Sequence, residues 1–237
     1  MEMEKAIHFG VRVQSAKYGL RLTREKYAII NQRASLPKFK SLEARGAYTD
    51  VTGRFYTREW CESYREVILQ NFDLSMEHFS KIDAEEFNDA IERFLKKNKK
   101  FEKVIDLKEW NGPGYYLMVL DDYKQAYLGT AQSIRRRIQQ HWAATKEFDR
   151  LLFPMYAVEK SIMSIDVFRA LDTTRIYAYR TGRTYISENR FIKDFPPDFL
   201  CNRIGGGLGD KNAPRILGSV DRALAERENV RNMSHNE

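Results

Sequence analysis

Apolar residues recur at helical spacing in two stretches of the first hundred positions. Trp60, Tyr64, Val67, Ile68 and Phe72 line one face of the segment from Thr57 to Phe72, and Thr57 is placed to cap it. A second helix is predicted from Asp83, whose short carboxylate suits an N-cap. Phe87, Ile91, Phe94 and Leu95 form its stripe, and it ends in the basic run Lys96, Lys97, Lys99 and Lys100. From Arg33 to Gly53 the chain is polar and interrupted by Pro37, Gly46 and Gly53, which is the composition of a loop. The region up to Glu109 therefore reads as mostly helical.

At Asn111-Gly112-Pro113-Gly114 the pattern breaks, and its period changes. Tyr115 to Leu120 is apolar and β-prone, Asp121 to Lys124 has turn chemistry, and Ala126 to Leu128 resumes the apolar run, which together predict a hairpin. Gln132 to Trp142 reads as a helix. Leu151 to Val158 reads as a third strand, at an edge because Pro154 cannot donate to a ladder. Ser164 is expected to cap a helix running to about Tyr179. Beyond Gly182 the pattern is irregular, with Pro196-Pro197, the run Gly205-Gly206-Gly207-Leu208-Gly209, a short helix over Ser219 to Glu228 and a polar tail. The expected architecture is α+β: a helical region over 1–109, serving as an accessory or target-recognition segment, a domain over 110–210 with a three-stranded antiparallel sheet flanked by helices, and a C-terminal helix and tail over 211–237.

Composition narrows the classes. No apolar run reaches the roughly 18 residues of a membrane span, and the N-terminus lacks an apolar signal region, so a cytoplasmic protein without membrane association is expected. Cys61 and Cys201 fit a reduced compartment and have no paired spacing, which argues against zinc. The net charge is +7 and the sequence pI about 9.3. Lys and Arg favour polyanions because neutralised phosphates release counterions, although a solvated basic surface accounts for the excess equally well.

The triplet Gly114-Tyr115-Tyr116, ten intervening residues and Tyr127-Leu128-Gly129 resemble the two short motifs that name the GIY-YIG nucleases, with Tyr115 and Leu128 standing where the family name has Ile. Thr130, Ile134, Arg137 and His141 continue the resemblance in the order strand, turn, strand, helix. Downstream, Asp172 in Ala170-Leu171-Asp172 resembles the family's later carboxylate, usually Glu, and Asn202 before Gly205-Gly206-Gly207 resembles its asparagine. The resemblance spans Gly114 to Gly207; the N-terminal region lies outside it. It implies a GIY-YIG-like domain with Tyr116, Tyr127, Arg137, His141 and Asn202 as catalytic residues and Asp172 as the ligand of Mg2+ or Mn2+.

The residue types suit such chemistry. Arg137 and His141, four positions apart, share a helix face. A guanidinium grips a phosphate through two bonds and stabilises the extra charge of a pentavalent transition state. Arg135 and Arg136 read as a solvated basic face. On the expected helix Ile165, Phe168, Asp172, Ile176 and Tyr179 would form one column, putting a carboxylate among apolar neighbours. Such a group needs a cation, a metal or a proton; Arg175 or Arg169 could supply a salt bridge, and Glu159 is a fallback metal ligand. Tyr116 and Tyr127 lie on the two hairpin strands. A phenol titrates near pH 10, so a basic role needs a nearby cation, Lys124 or Arg137. The alternative is that both tyrosines simply pack a core. His141 suits proton transfer, whereas His8, His78 and His235 have no recognisable context and read as surface residues. The glycine runs open onto no Lys-Ser or Lys-Thr pair, so they do not read as nucleotide-binding loops.

The function expected is a metal-dependent endonuclease that hydrolyses phosphodiester bonds of nucleic acid, chiefly double-stranded DNA. By the resemblance it leaves 5′ phosphate and 3′ hydroxyl ends, and it best suits a restriction or mobile-element enzyme. Target selection would fall to the N-terminal region, to insertions or to homodimerisation. Two other classes stand beside it: a catalytically inactive DNA-binding module of the same fold, and a basic protein that binds another acidic partner.

Overall fold

In the computed structural model of the chain, residues 3–15, 18–27, 57–143, 163–182 and 188–203 are described. They form a mixed α+β structure with two antiparallel sheets. The first is a hairpin of β1 (Glu4–His8) and β2 (Val11–Ser15), followed by a single turn α1 (Arg24–Tyr27). Two helices come next, α2 (Arg58–Lys81) and α3 (Ala84–Lys97). The second sheet contains β3 (Glu102–Lys103), β4 (Gly114–Leu120), β5 (Gln125–Ala131) and β6 (Arg175–Arg180) in the order β3-β6-β4-β5. Helix α4 (Ile134–Ala143) follows β5, and the short helix α5 (Asn189–Ile192) follows β6. Among the described residues, no helix is long and apolar enough to cross a membrane.

The helices predicted in the N-terminal region form, with one extension. Asp83 caps α3 by accepting from the amides of Glu85 and Glu86 at 2.8 and 2.9 Å. Helix α2 runs past Phe72 to Lys81 because its buried face continues through Ser75 and Phe79; the polar Ser75 hid the stripe, and its hydroxyl bonds back to the Asn71 carbonyl at 2.8 Å. The β1–β2 hairpin is a correction to the helical expectation. Phe9 and Gly10 both adopt positive φ, 43° and 71°, the conformation of a tight two-residue turn. The alternation of buried Val11 and Val13 with exposed Arg12 and Gln14 is the strand period. The expected loop from Arg33 to Gly53, the expected strand at Leu151 to Val158, Glu159 and the C-terminal helix and tail lie outside the described residues.

Strand β4 is buried along its whole length, because helices cover both faces of the sheet. On one face Tyr116, Met118 and Leu120 meet α2 through Ile68, Phe72 and Phe79, and α4 through Ile134, Ile138 and Trp142. On the other, Tyr115, Leu117 and Val119 meet Phe87, Ile91 and Phe94 of α3, with Phe191 of α5. Val11 and Leu22 share the first core, and β3 pairs with β6, so the N-terminal region packs directly on the sheet.

The expected helix from Ser164 to Tyr179 is the second correction. Ser164 does accept from the Asp166 amide, but the turns it introduces are short 3-10 segments, Ile165–Val167 and Ala170–Asp172, followed by strand β6. The β-branched pair Thr173-Thr174 and the alternation of buried Ile176 and Ala178 with half-buried Tyr177 and Tyr179 favour extension, and β6 supplies the second neighbour of β4. Among the described residues the larger sheet therefore has four strands, where three were expected.

His8 proves half-buried rather than a surface residue. Its Nε2 lies 2.7 Å from the Thr173 carbonyl, and its ring packs 5.5 Å from Trp142. Burial, the main cause, depresses its pKa below the ordinary 6.5. A folded pKa below the unfolded one means that its contribution is intact above about pH 6.5 and lost as the pH falls toward the folded value. Thermal unfolding from about pH 8 to about pH 5 should show a fall in Tm that is smaller in His8→Gln. Equal slopes in the two proteins would assign the acid loss to other groups.

Candidate active site

The β4–β5 hairpin sets the two motif tyrosines. Tyr116 pairs across the ladder with Gly129, and Tyr127 with Met118, so both phenols fall on the α4 face of the sheet with ring centroids 6.1 Å apart. Gly129 has a steric reason to be glycine. A Cβ there would collide with the Tyr116 phenol, which lies across β5 at that point.

Helix α4 carries Arg137 and His141 over the same surface. The Tyr116 hydroxyl lies 2.8 Å from His141 Nε2, and the imidazole is wholly buried. On the other side of the ring, His141 Nδ1 lies 2.5 Å from Asp166 Oδ1. A carboxylate can only accept, so it holds the proton on Nδ1 and leaves Nε2 to accept from the phenol. Tyr127 completes the cluster, edge-on to the imidazole at 5.0 Å.

The cation whose charge acts on both phenols is Arg137, which remains open to solvent. Burial dominates nonetheless. It raises the Tyr116 phenol well above its usual range, and the neighbouring Tyr127 adds to the rise while Arg137 opposes it. Tyr127 is pushed up to about 12, again mainly by burial. Both phenols are therefore neutral near pH 7 and act as proton donors or relays, not as standing bases. His141 is the group in this cluster that can take up a proton.

Asn202 stands at the outer edge of β5. Its Oδ1 accepts from the Leu128 amide at 2.8 Å and its Nδ2 donates to the Leu128 carbonyl at 2.6 Å, so one side chain satisfies both edge groups between Tyr127 and Gly129. It orders the edge of the hairpin.

Asp172 is buried, as its apolar surroundings implied, but for a different reason. Its Oδ2 accepts from the amides of Arg169 and Leu22 at 2.7 and 2.9 Å, and its Oδ1 from the Tyr123 hydroxyl at 3.2 Å. Burial raises its pKa, and those three donors oppose the rise. A divalent ion needs carboxylate oxygens free to face it and its waters. Both oxygens here are already engaged, so Asp172 does not fit the metal role; it ties the N-terminal segment to the 3-10 turn. Neither expected salt bridge forms. Arg169 donates to the carbonyls of Asp166 and Val167 at 3.0 and 3.1 Å, and Arg175 pairs with Asp121.

Two site residues lay beyond the sequence reading. Asp166 owes its place to a 3-10 turn that meets α4 only in the folded chain. Glu188 is buried at the N-cap of α5, its side chain caps no amide, and its charge reaches both Tyr116 and Tyr127. Among the described residues its carboxylate enters no ion pair or hydrogen bond. The signal for it was available: Ser187-Glu188-Asn189 precedes the apolar pair Phe191 and Ile192 as a helix start, on the N-terminal side of Asn202. No group of three or more His, Cys, Asp or Glu that could hold a metal occurs among the described residues. A single carboxylate with waters filling the remaining shell would suit Mg2+, which dehydrates reluctantly; Glu188 has no other side-chain partner among the described residues, and its charge acts on both phenols.

Comparison with protein-family models, with curated proteins and with solved structures found no match.

Proposed function

We propose that the chain is a metal-assisted phosphodiesterase of the GIY-YIG type acting on nucleic acid, with DNA as the favoured substrate. The observation that carries this reading is the chain Tyr116–His141–Asp166 set beside Arg137 and Glu188. A phenol, an oriented imidazole, a guanidinium open to solvent and an uncommitted carboxylate are the parts that in-line hydrolysis of a phosphodiester requires.

The scissile phosphate binds the solvent-open Arg137 guanidinium, which brings it to the Tyr116 side of the cluster. The attacking water then gives a proton to the Tyr116 oxygen as the phenolic proton passes to His141 Nε2. The Asp166 carboxylate stabilises the imidazolium that results. Arg137 holds the phosphoryl oxygens as negative charge builds. Glu188 would hold a Mg2+ or Mn2+ ion, which when bound supplies charge stabilisation at the leaving oxygen. The inactive-module alternative drew its support from Asp in the carboxylate position. With Asp172 engaged elsewhere and Glu188 beside the phenols, that departure no longer favours it.

Supercoiled plasmid incubated with the purified chain and Mg2+ or Mn2+ should be nicked or linearised, and EDTA or Arg137→Ala should abolish the cutting, by about 10^3-fold for the variant. Cleavage that survives in Arg137→Ala would remove the proposed site, whatever nuclease caused it.

A further inference from the structure

Across the sheet from the Tyr116 cluster, the C-terminal end of α3 and the helix α5 enclose an open pocket of about 420 Å3. Its charged wall consists of Lys97, Lys99, Lys100 and Arg190, and among the described residues no carboxylate lines it. Lys97 is compensated from outside by Asp194 at 2.7 Å. Lys99 and Lys100 are exposed and enter no ion pair among the described residues. The floor is aromatic: the Lys100 ammonium stands 5.4 Å over the Tyr179 ring, and the Arg190 guanidinium 4.6 Å over that of Phe191.

Asp194 offsets Lys97 and part of Arg190, which leaves Lys99 and Lys100 as excess positive charge; a polyanion relieves their repulsion while releasing its own counterions. Tyr179, partly exposed, is the lining ring that a base or sugar can meet, while Tyr115, Phe101 and Phe191 are buried beneath; Thr181 lines the same pocket. Inorganic phosphate alone would use the cations and leave the rings idle. The position is informative as well. The charge of Glu188, at the N-cap of α5, acts on both phenols, and Arg190, two residues on, lines the pocket. The start of α5 therefore links the two faces of the sheet, with roughly 3 Å of helical rise between the two residues.

Resting on the function proposed above, we propose that this pocket is a second phosphate subsite that grips the sugar-phosphate backbone of the same nucleic acid strand, on one side of the bond to be cut. The strand passes from Arg137 and Glu188 around the Gly114 end of the sheet to Arg190, Lys100 and Lys99. The contacts are to phosphate and ring faces, so the subsite positions the substrate without reading its sequence.

The test is fluorescence anisotropy of a short labelled DNA duplex and its single strand with the full chain in EDTA, titrated across about 50 to about 300 mM salt. The triple variant Lys99→Ala, Lys100→Ala, Arg190→Ala should lower the slope of log affinity against log salt by about two to three, and weaken binding at moderate salt by about 10^2-fold. Lys5→Ala with Arg12→Ala, on the N-terminal hairpin, should change neither. Should the triple variant lose its thermal transition, Lys99→Gln with Lys100→Gln replaces it, with a slope lower by about two. An unchanged slope in a protein that still binds and cuts DNA would overturn the subsite and leave the nuclease reading standing. Competition by inorganic tripolyphosphate with no slope difference between variants would mark a free-phosphate site and also overturn it. Failure of the unaltered protein to bind or cut any nucleic acid would remove both proposals.

Discussion

Glu188→Gln should lower DNA cleavage by about 10^3-fold or more and leave Tm unchanged, whereas Asp172→Asn should do the reverse. The two carboxylates are both buried, yet their surroundings differ. Glu188 contributes no hydrogen bond or ion pair to the fold among the described residues, so replacing its charge by an amide of the same shape costs little stability. It removes the charge that would hold a metal beside the phenols. Asp172 accepts from Leu22, Arg169 and Tyr123. An asparagine can keep both amides on its one oxygen only by turning its NH2 toward the Tyr123 hydroxyl, which loses its acceptor, while the two amides exchange a charged acceptor for a neutral one. That should cost about 2–4 kcal/mol, or roughly 5–15 °C in Tm for a chain of this size, with cleavage by the folded fraction near normal. Urea or thermal unfolding together with plasmid cleavage on both variants separates the cases. Loss of cleavage in folded Asp172→Asn with full activity in Glu188→Gln would return the metal role to Asp172.

The second large effect concerns Asp166. Asp166→Asn should reduce cleavage by about 10^2- to 10^4-fold, since the amide neither stabilises an imidazolium nor enforces the Nδ1 proton. A merely structural role would also lower activity, so the pH–rate profile is the discriminating readout. Cleavage should rise with pH as His141 becomes the neutral proton acceptor. A carboxylate at 2.5 Å favours the charged imidazole, and its removal should shift that acidic limb to lower pH. His141→Ala should abolish the limb. A profile in Asp166→Asn that is scaled down but not displaced would confine Asp166 to packing.

The local patterns carried far. The hairpin from Tyr115 to Leu128, the Asp83 cap and the α4 face bearing Arg137 and His141 all follow from short-range periodicity and capping chemistry, which act within a few residues. The Ser164 segment misled because its apolar spacing satisfies a helix and its later half also satisfies a strand. The vacancy beside β4 decided between them, and such a vacancy exists only once the sheet is assembled.

What the sequence alone determined, then, is which local elements form around the motif residues and, in the β4–β5 hairpin and α4, which face each residue occupies. The tertiary structure decided how those residues are partnered. Asp166 reaches His141 across 25 positions, Asn202 reaches Leu128 across 74, and Leu22 reaches Asp172 across 150. No periodicity encodes such pairings, because they depend on how separate elements dock. Docking is likewise what distinguishes a carboxylate that three donors have already satisfied from one left facing a cluster of phenols.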